Sequence, residues 1–307
     1  MEKEYEVIII GGGPAGLTAG LYTSRGRLKT LVIEKELIGG LTGIVEWIEN
    51  YPGFTEDVSG YELGELMHKQ ATKYGLETVI ADVIGIELKD KQKLVKTSEG
   101  DFSTDVVIIA SGSERQKMGV PGEEEFRGKG VSYCATCDGV FFTDKPIAVV
   151  GGGDSAISEA LHLTKYASKV TVIHRRDQLR ASKIVQEKAF AEPKIDFRWN
   201  AVVESIEGKD LVEKAKLRDV KSGKISDLDI AGIFVSIGFN PNTGFLKGVV
   251  PLDKMEQVIT NERMETEVPG ILAAGDVRSR SARQVITAAG DGATAAVYAE
   301  KYLSEYE

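Results

Sequence analysis

The sequence is nearly without cysteine: two in 307 residues, Cys134 and Cys137, three positions apart. That excludes a secreted domain stapled by several disulfides and leaves no stray thiol for the interior. Histidine is almost as scarce, with His68, His162 and His174 scattered along the chain. Structural zinc normally needs four protein ligands, and with one cysteine pair and three scattered histidines no metal site is expected; His68 and His162 read as plain helix positions. No basic block relieves an acidic balance of 38 Lys and Arg against 47 Asp and Glu, net charge −9. Nucleic acid and anionic membranes are therefore poor partners. No apolar run approaches the roughly 20 residues of a membrane span. The first six residues are charged and lead straight into an apolar run, so a signal peptide is not expected and the cytoplasm is.

What the chain does have is glycine, 34 of 307 residues, or about 11% against an average near 7%. Much of the excess sits in tight clusters, as it does where backbone must approach a ligand. Apolar residues at 42% and charged residues at 28% are ordinary for a folded protein, and the length suits two domains of roughly 100–200 residues.

The clusters fall in a repeated pattern. Glu6-Val7-Ile8-Ile9-Ile10 is a short apolar run suited to a buried parallel strand. Gly11-Gly12-Gly13-Pro14-Ala15-Gly16 follows, then a helical stretch over 17–24 and a second strand, Thr30-Leu31-Val32-Ile33, ending at Glu34. This is a βαβ unit with G-x-G-x-x-G at its turn. The pattern returns 140 residues later: strand Ile147-Ala148-Val149-Val150, turn Gly151-Gly152-Gly153-Asp154-Ser155-Ala156, a helix to about 165, and strand Val170-Thr171-Val172-Ile173. One such turn is weak evidence; two in the same context are strong. At each turn, backbone N–H groups and a helix N-terminus face a pyrophosphate, and absent side chains let it approach.

The two copies differ where their second strands end. Gly11 to Glu34 and Gly151 to His174 are each 23 positions. The first copy ends in a carboxylate, which accepts hydrogen bonds from a ribose diol. The second ends in His174-Arg175-Arg176, with Arg180 one turn on, and arginines there meet a 2′-phosphate. Copy one is read as holding FAD or NAD and copy two NADPH.

Two further apolar runs end in small residues, Val106-Val107-Ile108-Ile109-Ala110-Ser111-Gly112 and Gly232-Ile233-Phe234-Val235-Ser236-Ile237-Gly238. Ligands of open α/β sheets lie beyond such strand ends. Near the C-terminus, Gly270-Ile271-Leu272-Ala273-Ala274-Gly275-Asp276 reads as a strand ending in an acid, and Arg283-Gln284-Val285-Ile286 as the opening of a helix rich in small residues.

Tyr133-Cys134-Ala135-Thr136-Cys137-Asp138-Gly139 precedes the second turn. C-x-x-C beside a βαβ unit reads as a dithiol/disulfide couple. Asp138 adjoins the second cysteine, where a carboxyl group passes a proton as a thiolate leaves or forms. Two dinucleotide turns and one dithiol suit an electron relay from nicotinamide to flavin to disulfide to an outside disulfide.

These residues resemble the low-molecular-weight thioredoxin reductases, and the resemblance runs through the whole chain. It is carried by the first turn, Gly39-Gly40, Glu49-Asn50-Tyr51-Pro52-Gly53, the C-A-T-C-D-G run, the second turn, His174-Arg175-Arg176-Asp177 with Arg180-Ala181, Asn240-Pro241-Asn242-Thr243, Ala273-Ala274-Gly275-Asp276 and Arg283-Gln284. It implies an α/β fold of two Rossmann-like domains. The NADPH domain, 118–246, is inserted into a discontinuous FAD domain, 1–117 and 247–307, with hinges near 115–120 and 245–248. It further implies a homodimer. FAD is lined by Gly11, Gly13, Pro14, Ala15, Gly16, Glu34, Gly40, Asn50, Gly112, Gly275, Asp276, Arg283, Gln284 and Val285. NADPH is held by Gly151, Gly153, Asp154, Ser155, Ala156, His174, Arg175, Arg176 and Arg180. Cys137 faces the flavin, Cys134 attacks the partner disulfide, and Asp138 is the acid–base group. The partner is thioredoxin or a thioredoxin-like protein disulfide, with Arg127 and Lys129 as candidate contacts. The same relay feeding a glutaredoxin-like protein or a peroxidase is the alternative. Leu41 stands where many members carry Gln after the paired glycines, and the chain's last six residues hold no cysteine, unlike the larger reductase type.

Overall fold

Side-chain alternation organises the first unit. In strand Lys3–Ile10, Val7 and Ile9 enter one apolar cluster while Ile8 and Ile10 enter another, because successive residues point to opposite faces of a sheet. A strand buried on both faces needs cover on both. Helices Pro14–Arg25 and Val285–Tyr306 cover one face with Ala15, Ala19, Ala295, Ala296 and Ala299; Val95, Leu246 and Val258 lie on the other. The structure, a computed structural model, describes residues 3–45, 48, 50–89 and 92–306.

The chain divides into two units, Met1–Glu114 with Asn240–Glu307, and Arg115–Phe239. In the first, strands Glu77–Ile80, Thr30–Glu34, Lys3–Ile10 and Gly100–Ile109 run parallel in that order. Ile271–Ala273 also pairs in parallel with Gly100–Ile109, and Gln92–Thr97 and Val83–Lys89 extend the sheet antiparallel. In the second, Ile195–Trp199, Lys169–His174, Pro146–Val150, Gly232–Val235 and Val131–Ser132 form a parallel sheet. Helix Asp154–Leu163 supplies Ala156, Ile157, Ala160 and Leu163 to its apolar cover on one side. Antiparallel strands Ala201–Gly208, Val212–Asp219 and Ile225–Asp229 stand on the other. Both units thus have a Rossmann-like α/β design, with parallel strands covered by helix on one face.

The chain crosses between units at 114–115 and 239–240, ahead of the boundaries suggested by the sequence. Packing explains the difference. Leu246 is fully buried in the first unit's core, and Asn242 and Ser111 exchange hydrogen bonds of 2.9 and 2.8 Å. Gln116 belongs to the other side, its N–H donating to the Gly238 carbonyl at 2.9 Å. The helix near the C-terminus begins at Val285, two residues later than expected. Arg283 has φ of 55°, a left-handed value that a right-handed helix cannot accommodate. Asp276 lies in a 3₁₀ turn, Gly275–Val277, beyond its strand.

Helix Val285–Tyr306 crosses Pro14–Arg25 at a distance only glycine permits. A Cβ on Gly292 would lie 2.1 Å from the Ala15 carbonyl oxygen, which is backbone and has no freedom to yield. Gly292→Val is expected to lower stability by about 1–3 kcal/mol through overpacking. A urea midpoint equal to that of the parent protein would refute the close crossing.

Candidate functional site

Strand register assembles the first site. Ile10 stands opposite both Ile33 and Ile109, and Ala273 opposite Ile109. The segments after these strands therefore meet at one carboxyl edge of the sheet. Gly11 takes φ of 108°, and a Cβ there would lie 2.3 Å from the Ala110 carbonyl oxygen. A Cβ on Gly16 would lie 1.8 Å from the Gly11 carbonyl oxygen, so helix and strand pack backbone to backbone. Gly13 differs: its Cβ would meet nothing nearer than 4.0 Å. The turn thus has two glycines required by packing and one that leaves a cradle open. Gly13 is also the N-cap of Pro14–Arg25, with no side-chain cap, whereas helix Gly60–Thr72 is capped by Ser59. The first-turn N–H groups at Gly13 stay free for an anion. Pro14 opens the helix where a missing N–H costs nothing, and Ala15 is buried behind it.

Around this cradle stand the other predicted residues of the first unit. Glu34 accepts from the Gly12 N–H at 2.6 Å. Gly40, at φ of 56°, would place a Cβ 3.2 Å from Gly13 Cα. Gly112 accepts from the Asn242 N–H at 3.0 Å. Asn50 donates through Nδ2 to Gln284 Oε1 at 3.1 Å, joining residues 234 positions apart, and Val285 and Tyr51 pack against the same small cluster of Ile48, Val58 and Leu63. Gly275 has φ of 77°, and a Cβ there would come within 3.0 Å of Ala15 Cβ. Burial pushes the Asp276 carboxyl above its usual range, against the Ser281 hydroxyl that donates to it at 2.8 Å. Ser281 Oγ also accepts from the Arg283 N–H at 3.1 Å. Leu41 is exposed in the 3₁₀ turn Gly40–Ile44.

The second turn repeats the design. Val150 stands opposite Ile173 and Val235. A Cβ on Gly151 would lie 2.2 Å from the Ser236 carbonyl oxygen and 2.6 Å from Ala156 Cβ, so the first position of this turn has to be glycine. Gly153 opens on free space and is the N-cap of Asp154–Leu163, again without a side-chain cap. Ser155 is exposed on the first helical turn. Both cradles fit a dinucleotide pyrophosphate.

His174 fills the place that Glu34 takes in the first unit. A Cβ on Gly152 would lie 2.3 Å from its ring. Burial pushes the imidazole below its ordinary pKa, and Arg180, Arg176 and Arg175 add to this against the Gln178 carbonyl, 3.0 Å from Nε2. A neutral His174 shapes the loop and leaves charge to the exposed arginines. That loop is tied back by backbone: Arg180 and Ala181 donate N–H to the Gly152 carbonyl at 2.7 and 3.2 Å, and Ser182 donates N–H to Asp154 Oδ1 at 2.8 Å. The Ser182 N–H bond holds the Asp154 carboxyl below its usual pKa. Asp154 is thus a clamp on the arginine loop.

The redox motif begins at strand Val131–Ser132 and continues into the short helix Ala135–Asp138. Cys134 is half-buried and disulfide-bonded, and the chain's other cysteine is Cys137, whose side chain lies outside the described residues. Thr136 Oγ1 lies 3.4 Å from Cys134 Sγ. Asp138 is half-buried, and Ser132 donates to its Oδ2 at 2.6 Å. Tyr133 donates to Glu123 at 2.6 Å, and burial, followed by that bond, raises its pKa. Arg127 lies 5.8 Å above the Tyr133 ring; it and Lys129 are exposed.

Sequence reasoning missed three supports. Ser132 is one. Glu123 is another: it is buried in a run of three glutamates that reads as solvated, and also accepts from the Met118 and Gly119 N–H groups at 2.9 and 2.6 Å. The third is a two-point fork from Arg278 to Asp291 at 2.6 and 2.7 Å, with the Gly275 N–H on the same carboxylate at 3.1 Å. Its one visible signal is an acid standing alone in a stretch of small residues, 288–296. Among the described residues no group of three or more His, Cys, Asp or Glu is placed to hold a metal ion, and no helix is long and apolar enough to cross a membrane.

Comparisons agree along the whole chain. The pyridine nucleotide-disulphide oxidoreductase family matches residues 5–292. Thioredoxin reductase of Bacillus subtilis is 46% identical, covering 100% of this chain and 97% of its own length. That of Peptoclostridium acidaminophilum is 45% identical, with 99% and 98% covered. The crystal structure of Lactococcus lactis thioredoxin reductase superposes with a TM-score of 0.86 at 43% identity, covering 98% of this chain and 99% of that one.

Proposed function

Because the chain belongs to the pyridine nucleotide-disulphide oxidoreductase family, we propose that it carries electrons from NADPH, through FAD and the Cys134–Cys137 couple, to the disulfide of thioredoxin. The observation that carries this reading is the full-length likeness to thioredoxin reductases in a chain with two uncapped glycine turns and a disulfide-bonded Cys134. Unit Met1–Glu114 with Asn240–Glu307 is taken as the FAD unit, on Glu34 and the Asn50–Gln284 pair. Unit Arg115–Phe239 is taken as the NADPH unit, on its arginine loop.

FAD, when bound, supplies the two-electron chemistry between nicotinamide and disulfide. The protein's residues do the rest. Once reduced, Cys134 attacks one sulfur of the partner disulfide as a thiolate, forming a mixed disulfide and expelling a partner thiolate. Cys137 attacks Cys134 Sγ, which restores the internal disulfide and releases the second partner sulfur. Asp138 passes a proton as these thiolates form and leave. The helices Pro14–Arg25, Gly60–Thr72 and Val285–Tyr306 expose Tyr22, Tyr61, Leu66 and Val297, apolar surface that supports a homodimer through the FAD unit. The acidic balance and the two-cysteine composition support a cytoplasmic setting.

Anaerobic titration with NADPH followed by oxidised thioredoxin tests the whole relay. Bleaching of the flavin, then reoxidation with one partner dithiol formed per NADPH, is the expected result. Bleaching without transfer would redirect the relay to a glutaredoxin-like protein or a peroxidase. No bleaching would overturn the coenzyme assignment.

A further inference from the structure

Ser132 offers one oxygen to three neighbours beside the redox motif. It is buried at the end of strand Val131–Ser132, 5% exposed. Its Oγ accepts from the Cys134 backbone N–H at 3.0 Å. Its hydroxyl has two acceptors in reach, Asp138 Oδ2 at 2.6 Å and the Cys134 carbonyl at 3.3 Å. That carbonyl also accepts from the Asp138 backbone N–H at 3.1 Å, which pins the aspartate's main chain. A hydroxyl has one proton and two lone pairs, so it donates to only one of the two acceptors at a time.

We infer that Ser132 is a positioning residue that lets Asp138 gain and lose its proton without moving, an inference resting on the reading of Asp138 as the acid–base group. With Asp138 ionised, the Ser132 hydroxyl donates to the carboxylate, and 2.6 Å is the usual length of such a charge-assisted bond. With Asp138 protonated, its own O–H donates to Ser132 Oγ, and the Ser132 proton turns to the Cys134 carbonyl. When Asp138 gives its proton to a departing thiolate, the hydroxyl turns back. One O–H bond breaks at Asp138 and one S–H bond forms; Ser132 keeps its proton, and no heavy atom has to shift. The same oxygen holds the Cys134 N–H in both states, so cysteine and acid keep one spacing through the cycle.

Other titratable groups come from the neighbouring elements. Tyr133 is committed to Glu123, and Glu159, on helix Asp154–Leu163, pairs with Arg115 at 3.0 Å. His162 on the same helix and Tyr166 just beyond it have ring centroids 5.7 Å apart.

The test is the pH profile of thioredoxin reduction in FAD-loaded wild type, Asp138→Asn, Ser132→Ala and Ser132→Thr. Asp138→Asn should abolish one limb. Ser132→Ala removes the donor to the ionised carboxylate, so that limb should move up by about one pH unit. Ser132→Thr, which keeps the hydroxyl, should return it. If Ser132→Ala fails to load FAD, Ser132→Cys, with a weak donor of similar shape, should produce the shift instead. The shift should persist in a His162→Gln background. A uniform loss at every pH, with the limb unmoved, would assign Ser132 to fold support alone and overturn the inference, as would no change at all. Full activity and an intact limb in Asp138→Asn would instead defeat the reading of Asp138, and this inference with it.

Discussion

Replacing Cys134 with serine is expected to lower thioredoxin reduction by about 10³-fold or more while flavin reduction by NADPH continues at the wild-type rate. The argument is chemical. The nucleophile toward a disulfide is a thiolate, and a serine hydroxyl does not ionise near neutral pH. Cys134 is half-buried and so still reaches solvent, at the start of a short helix, and its backbone is held by Ser132 and Asp138 at 3.0 and 3.1 Å. Those bonds use main-chain atoms of residue 134, so serine keeps them and the local shape survives. On the proposed reading NADPH is held by the second glycine turn and its arginine loop, which this change does not touch. The internal disulfide disappears, so an anaerobic titration should end one NADPH equivalent earlier than in the parent protein. Cys137→Ser should behave oppositely. Cys134 still attacks, nothing resolves the product, and a mixed disulfide with the partner accumulates. Loss of flavin bleaching in Cys134→Ser would count against the assigned roles, and mixed disulfide in that variant instead of its counterpart would reverse them.

The parts of this molecule legible in its sequence are those where backbone geometry dictates residue type. Gly11 and Gly151 are forced by carbonyl oxygens of the neighbouring strand, and Gly13 and Gly153 by the need to leave a cradle empty. Such demands leave a pattern in one dimension. Equal spacing from each first glycine to Glu34 and His174 exposed the difference between copies in the same way. Side-chain clamps leave no pattern. Asp154 finds Ser182 28 positions away, and Asp291 finds Arg278 13 positions back through a turn that carries the left-handed residues Arg280 and Arg283. The three-glutamate run hides one buried member, because burial of Glu123 depends on where Tyr133 and the 118–119 backbone arrive. Antiparallel strands Ala201–Gly208, Val212–Asp219 and Ile225–Asp229 were equally silent. They carry many charged residues on their exposed faces, and their apolar residues face the sheet one by one.

Coenzyme choice should collapse when the arginine loop loses its charge. The Arg175→Ala/Arg180→Ala double variant is expected to lose about 100-fold in kcat/KM for NADPH and little for NADH. Each charge-assisted bond to a 2′-phosphate is worth roughly 1.5–3 kcal/mol, and these side chains are exposed, so the lower end applies. About 1.4 kcal/mol is tenfold, and two such losses multiply if they are independent. The loop itself should stay in place. Gly152 holds residues 180 and 181 by their backbone N–H groups, and Asp154 holds residue 182 in the same way. Alanine keeps all three bonds, so what is lost is the guanidinium groups and not their platform. Arg175→Lys separates charge from geometry: it retains the charge but not the planar fork, and should recover only part of the preference. Added salt should narrow the wild-type preference, since exposed charges are screened over about 8–10 Å at ordinary ionic strength. On the proposed reading the first turn supplies the contrast inside the same chain, because the Glu34 carboxylate would repel a 2′-phosphate there. Equal kcat/KM for NADPH and NADH in the parent protein would remove the phosphate from this loop and return Arg175, Arg176 and Arg180 to the solvated surface.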